Sequence, residues 1–143
     1  MERNPDHERI WREWHEAAKN RDHQALVALY ADDAIFDSPL VQAICPERSH
    51  GVLRGKAEIA EFLREGAKRR PNALVRWHRT PVWFSCGDTL VWEYPRETPN
   101  GDQIDILEVM RIADGKIAHQ RIYWGWKGCA WIAPALARST SAV

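Results

Sequence analysis

Apolar and polar positions recur along this chain with two different periods, and the change between them falls near residue 72. In the first half Ile10, Trp11, Trp14, Ala17 and Ala18 return three and four apart, which is the spacing of one helix face. Asn4 can accept a hydrogen bond from the open amides at the start of that helix and Pro5 suits its first position, so about four turns are predicted, ending at Lys19. Asn20-Arg21-Asp22 interrupts the pattern, and Asp22 caps a shorter helix that turns Leu26, Leu29 and Tyr30 inward before Ala31-Asp32-Asp33. A brief strand over residues 34–38 follows and is stopped by Pro39. Residues 40–54 have no clean period, although Val41, Ile44, Val52 and Leu53 are apolar, and read as a covering loop. After Gly55 a third helix places Ile59, Phe62, Leu63 and Ala67 on one face and pairs Glu61 with Arg64 and Glu65 with Arg69 on the other. Arg70-Pro71-Asn72 ends it.

The second half has period 2. Residues 73–84, 89–94, 103–112 and 116–126 read as strands, separated by Cys86-Gly87-Asp88, by a loop carrying Asn100-Gly101, and by Asp114-Gly115. Such short turns join antiparallel neighbours. Helices gathered at the start and strands at the end predict an α+β domain in which a bent antiparallel sheet wraps over the helices. The segment from Gly128 is expected to pack weakly or at a subunit contact and to fray from Ser139 to Val143.

Composition narrows the possible functions. A chain of 143 residues with 45% hydrophobic and 28% charged residues fits one globular domain with a real core. Lys plus Arg and Asp plus Glu are 20 each, so no global field draws the protein to nucleic acid or anionic lipid. The charged amino terminus lacks the apolar stretch of an export signal, and no segment has the apolar length of a membrane span; a cytoplasmic location is expected. Cys45, Cys86 and Cys129 are odd in number and far apart, and read as free thiols. Eight tryptophans are many for this length; the two on one face of the last strand, Trp124 and Trp126, would suit a flat apolar ligand or simply fill the core.

The strand pattern singles out one acid. Ile104, Ile106, Glu108, Met110 and Ile112 share a face, and Glu108 is the only polar member of that row. A buried carboxyl either neutralises by a raised pKa, which makes it a candidate general acid, or meets a cation, here Arg76, Arg79 or Arg121. The row alone does not separate the two. The last strand places Gln120, Ile122, Trp124 and Trp126 on one face, against His119, Arg121 and Tyr123 on the other. Asp37 is a second candidate carboxylate, although it shares a face with Ile35 and opposes Ala34, Phe36 and Ser38. His78 can accept or give a proton near neutrality. His7, His15 and His23 sit on or between polar helical faces, no histidine spacing suits a metal, and no glycine-rich phosphate loop or Gly-x-Ser-x-Gly elbow is present. Neither a metal nor an organic cofactor is expected.

The run Asn20-Arg21-Asp22, Leu26, Leu29-Tyr30-Ala31-Asp32-Asp33-Ala34 and Pro39, then Gly51, Gly55 and the Ile59/Phe62 helix, resembles the nuclear-transport-factor-2-like superfamily, best its SnoaL-like and ketosteroid-isomerase-like branches. The similarity continues through residues 108–117 and Arg121-x-Tyr123-Trp124-Gly125, covering about residues 8–126 of a single domain with a tail over 127–143. It implies a cone of helices and a strongly curved antiparallel sheet around a deep apolar pocket, dimerising through the outer sheet face. Members include isomerases, cyclases, dehydratases, epoxide hydrolases and silent binding domains. Ketosteroid isomerases carry a catalytic Asp directly before the Pro of this run; here Ser38 holds that place and Asp37 lies one earlier. Their oxyanion hole combines a first-helix tyrosine with a protonated carboxylic acid, and the matching positions are Trp14 and Glu108. An indole donates a hydrogen bond but is not an acid, so steroid isomerisation itself is disfavoured. The acid on the last strand of SnoaL-like cyclases has no counterpart among Gln120, Ile122 and Trp124, and the Asp-Arg-Asp set of the epoxide hydrolases is not assembled.

The expectation is a cofactor-independent isomerase, cyclase or dehydratase. Glu108 would be the acid, Asp37 and His78 the candidate bases, and Trp14, Phe62, Trp92, Met110, Ile122 and Trp124 the walls around an uncharged ring-containing ligand. One competitor is a ligand-binding or accessory domain with Glu108 locked to an arginine. Another is a protein-interaction module with a filled core.

Overall fold

The computed structural model describes residues 4–69, 82–97 and 103–140. Asn4 caps the first helix, α1 (Pro5–Asn20), its side chain accepting from the Asp6 amide at 2.9 Å, and Arg21 closes it in the left-handed region with φ 57°. The inward face holds Ile10, Trp11, Trp14, Ala17 and Ala18 as expected, and also His7 and His15, which are buried, not on a polar side. The reason lies in the spacing: 7, 11, 15 and 18 are three or four apart and continue the apolar stripe. Asp22 caps α2 (His23–Ala28) through the Ala25 amide at 2.9 Å.

The chain leaves the helical conformation sooner than periodicity suggests. Strand β1 (Tyr30–Asp37) begins at Tyr30, four residues before the predicted strand, because Tyr30 pairs with Ile117 of the last strand and Leu29 accepts from the Ile117 amide at 2.8 Å. The expected covering loop contains two short elements. In α3 (Leu40–Ile44) Leu40, Val41 and Ile44 point inward, and β2 (Val52–Arg54) pairs antiparallel with β1, Leu53 opposite Phe36. Helix α4 (Lys56–Arg69) buries Ile59 and Phe62; on its outer side Glu65 meets Lys68 at 3.1 Å and Arg64 at 3.8 Å.

The remaining strands are β3 (Phe84–Cys86), β4 (Thr89–Glu97), β5 (Gln103–Ala113) and β6 (Lys116–Trp124). Most of the strand predicted over 73–84, with Arg76, His78 and Arg79, lies outside the described residues. The sheet order is β2-β1-β6-β5-β4-β3. All neighbours are antiparallel except β1 and β6, which run parallel, so the sheet is mixed and not wholly antiparallel. The segment expected to pack weakly is instead a fifteen-residue helix, α5 (Trp126–Thr140), against β5, α3 and β6. Gly128 makes that approach possible, since a Cβ there would stand 2.6 Å from Trp124 Cε3 and 2.9 Å from Ile104 Cγ2. Trp126, predicted to share the inner strand face, opens this helix and is 82% exposed. No helix among the described residues is long and apolar enough to cross a membrane, and the three cysteines are unbridged.

One buried link makes stability depend on pH. His7 is 0% exposed and its Nδ1 lies 2.7 Å from the Ser85 hydroxyl, joining α1 to β3. Burial holds its pKa below the ordinary 6.5, against the opposing pull of Asp6 and Asp88. Above pH 6.5 neither folded nor unfolded chain protonates this ring; below it the unfolded chain takes up a proton that the native state resists, so stability falls. His119, lowered mainly by burial and by Arg121, adds in the same direction. Urea melts at pH 7.5 and 5.5 should show a lower midpoint at 5.5, and a smaller drop in His7→Gln. Equal drops in the two proteins would assign the dependence elsewhere.

Candidate functional site

The pleat of β5 turns Ile104, Ile106, Glu108, Met110 and Ile112 to the interior as a single row. Glu108 is 0% exposed. Across the sheet it is paired with Ile122 of β6 and Trp92 of β4. Its side chain reaches diagonally to Gln120, which stands opposite Met110, and accepts from Gln120 Nε2 at Oε2 with a distance of 2.8 Å. The other end of that amide, Oε1, accepts from the Tyr30 hydroxyl at the start of β1. Tyr30 is 1% and Gln120 1% exposed, so a phenol, an amide and a carboxyl are joined in the apolar interior across three neighbouring strands.

These groups face a cavity of about 40 Å³. Its wall includes Trp14 of α1, Phe62 of α4, Leu40 of α3, and Ile106, Ile122 and Trp124 of the sheet. That volume holds roughly two to four water molecules and no ring compound. The walls have to part before a ring-sized ligand enters. Helix α5 packs against α3, β5 and β6, the elements that supply Leu40, Ile106 and Trp124, and Trp131 of α5 lies 6.5 Å from the Trp124 ring. The Trp124 indole nitrogen is buried and, among the described residues, makes no hydrogen bond.

Of the residues picked from sequence, Glu108, Trp14, Phe62, Ile122 and Trp124 meet at this cavity. Trp92 and Met110 are fully buried but stand outside its lining. Trp92 backs Trp14 edge-on at 5.3 Å between ring centres and His15 at 5.4 Å. Asp37 is a correction: it is exposed, on the outer face beside Arg121 and near His119, because the pleat that buries Ala34 and Phe36 turns it away. Ser38, buried in its stead, accepts from the Leu40 amide at 3.1 Å and donates its own amide to Gly51, which commits it to the turn into α3. Arg121, one of the three proposed ion-pair partners of Glu108, lies on that same outer face and is exposed. His78 lies outside the described residues, as do Arg76 and Arg79. Among the described residues no group of three or more His, Cys, Asp or Glu is placed to hold a metal.

Tyr30 and Gln120 are site residues that the pattern alone missed. Gln120 had a signal, being the one polar residue on the inner face of β6 between Ile117 and Trp124. Tyr30 had none, because helical spacing explained its burial equally well.

The sequence profile of the SnoaL-like domain family matches residues 11–120. Solved structures with a similar fold include a SnoaL-like protein of unknown function from Burkholderia thailandensis, 22% identical, covering 87% of this chain and 99% of its own, with a TM-score of 0.68. A steroid delta-isomerase from Pseudomonas aeruginosa is 18% identical over 97% of this chain and 94% of its own, with a TM-score of 0.64. TerC, co-crystallised with polyporic acid, is 17% identical over 90% and 98%, with a TM-score of 0.67. None of the curated proteins compared with the chain matches it.

Proposed function

The chain belongs to the SnoaL-like domain family, and on that premise we propose that it is a small-molecule enzyme of isomerase, cyclase or dehydratase type. Glu108 supplies the acid or hydrogen-bond donor to an oxygen of an uncharged, ring-containing substrate. The observation that carries this reading is a fully buried carboxyl on the wall of an otherwise largely apolar cavity, where it accepts from the Gln120 amide. In such a place a proton can be given or shared without competition from water, and a developing negative charge on the substrate is felt at close to full strength. Trp14, Phe62, Ile122 and Trp124 supply flat and branched apolar surface for the ring, and the Trp124 indole offers a further donor. His78 is the remaining candidate base. One fold relative was co-crystallised with polyporic acid and another is a steroid delta-isomerase, and both are compatible with a ring-shaped ligand. A homodimer is the expected assembly, as the resemblance implies.

A panel of uncharged cyclic ketones, incubated with the protein and followed by mass spectrometry in D2O, tests this reading. Wild type should convert at least one compound or exchange its carbon-bound hydrogens, and Glu108→Gln should slow that reaction about 100- to 10,000-fold. Equal rates in the two proteins would remove Glu108 from the chemistry. The second reading, a non-catalytic binding domain, is favoured by the position of Asp37, which leaves Glu108 as the only carboxyl among the described lining residues. It predicts tryptophan quenching by 2-naphthol or another member of the panel with no conversion of any compound.

A further inference from the structure

The outer face of the sheet, away from the cavity, carries a group of charges that the proposed reaction does not use. Arg54 of β2 stands opposite Ile35 of β1, Ile35 opposite His119 of β6, and His119 opposite Arg111 of β5, so these side chains form one row across four strands. Two residues further along β6, Arg121 stands opposite Asp37. The three arginines and Asp37 are exposed, and His119 is half-buried between them. Among the described residues none of the three arginines makes an ion pair or a side-chain hydrogen bond, and Asp37 has no ion-pair partner. Glu58, which accepts from the Arg54 amide at 2.9 Å, is paired with Arg48 at 3.4 Å.

All three guanidinium groups act on one place. Burial holds the His119 ring below its ordinary pKa of 6.5, and Arg121, Arg111 and Arg54 push it the same way, with Asp37 alone pulling against them. The ring's Nε2 is buried and, among the described residues, makes no hydrogen bond. Three guanidinium groups against one carboxylate leave two positive charges uncompensated at this spot. A phosphomonoester near neutral pH carries a charge of about −1.5 to −2, and each arginine can donate two parallel hydrogen bonds to its oxygens. A lone carboxylate has too little charge and too few oxygens for three such forks. An extended acidic peptide calls for cations strung in a line, whereas these surround a single side chain. We propose that Arg54, Arg111 and Arg121 form a binding site for a phosphate group, free or as the monoester of a small molecule. Gln120, between His119 and Arg121 on β6, faces the cavity, so this ligand lies on the reverse of the sheet from the cavity's occupant. The site stands apart from the reading of Glu108 and does not depend on it.

NMR titration with inorganic phosphate and with phenyl phosphate, each replacing chloride at constant ionic strength, tests the proposal without needing a substrate. Both should give saturable shifts centred on β1, β2, β5 and β6 and should raise the His119 midpoint by about 1 pH unit, since a bound anion favours the charged ring. Arg111→Gln and Arg121→Gln should each weaken binding about 10-fold or more. Asp37→Asn should strengthen it about 3-fold by removing the competing acid, and Arg12→Gln, on α1 and paired with Glu8, should leave it unchanged. Tighter binding of phenyl phosphate assigns a monoester as the ligand, and equal binding assigns the phosphate group alone. Shifts that do not saturate, that chloride reproduces, or that survive Arg121→Gln overturn the proposal. The rival occupant is a second copy of the chain. If Arg111→Gln and Arg121→Gln alter the sedimentation coefficient while phosphate leaves His119 unmoved, the cluster is a contact between copies and the proposal falls.

Discussion

Trp92→Ala is expected to lower the unfolding free energy by about 3–5 kcal/mol and the thermal midpoint by roughly 10–20 °C. Trp92 is 0% exposed and holds together parts of the molecule far apart in sequence: it lies edge-on to Trp14, against His15, and beside Glu108 in the sheet. Truncation leaves a hole behind the aromatic wall of the cavity, and stiff neighbours on α1 and β5 collapse into it only in part. Its indole nitrogen is buried and, among the described residues, forms no hydrogen bond. The contribution is thus one of packing. Trp92→Phe keeps a ring, gives up an N–H that gains nothing there, and should recover most of the loss. Thermal melts by circular dichroism read both changes. If phenylalanine is as damaging as alanine, a specific role for the indole N–H replaces this account.

The second large effect concerns α5. Gly128→Ala places a methyl group 2.6 Å from the Trp124 ring and 2.9 Å from Ile104, both braced by the sheet. Neither neighbour is the far end of a flexible chain, so the start of the helix has to lift. A cost of about 1–3 kcal/mol is expected, together with faster acrylamide quenching of tryptophan fluorescence as Trp124 is uncovered. Since α5 packs on the elements that bear Leu40, Ile106 and Trp124, the same variant should also speed the uptake of 2-naphthol. A variant as stable and as slowly quenched as wild type would mean that α5 is not seated by this contact.

How much of this was legible in the chain depends on whether the deciding force was local. The row from Ile104 to Ile112 states its own burial, because alternation on a strand needs no knowledge of the partner, and Glu108 stood out in it at once. The caps at Asn4 and Asp22 are equally local. Tyr30 was misplaced because its strand conformation comes from pairing with Ile117, a contact no local period records. The segment from Leu40 to Arg54 looked featureless since a five-residue helix and a three-residue strand are too short to show a period. Residue type alone argues for polar faces at His7 and His15, although their spacing from Trp11 and Ala18 places them inside. α5 was missed because Gly128 and Pro134 weaken helix propensity, while the groove that Gly128 fits belongs to Trp124 and Ile104.

The parallel seam between β1 and β6 governs how this protein is made as well as how it stands. The bond from Tyr30 to Gln120 spans 90 positions of sequence, and closing so long a loop is among the slower events of folding. On the ribosome, β1 must wait with one edge open until β6, residues 116–124, has emerged. Fragments that stop short of residue 116 therefore have nothing to zip that edge shut, and are expected to aggregate, not to persist as half-built domains.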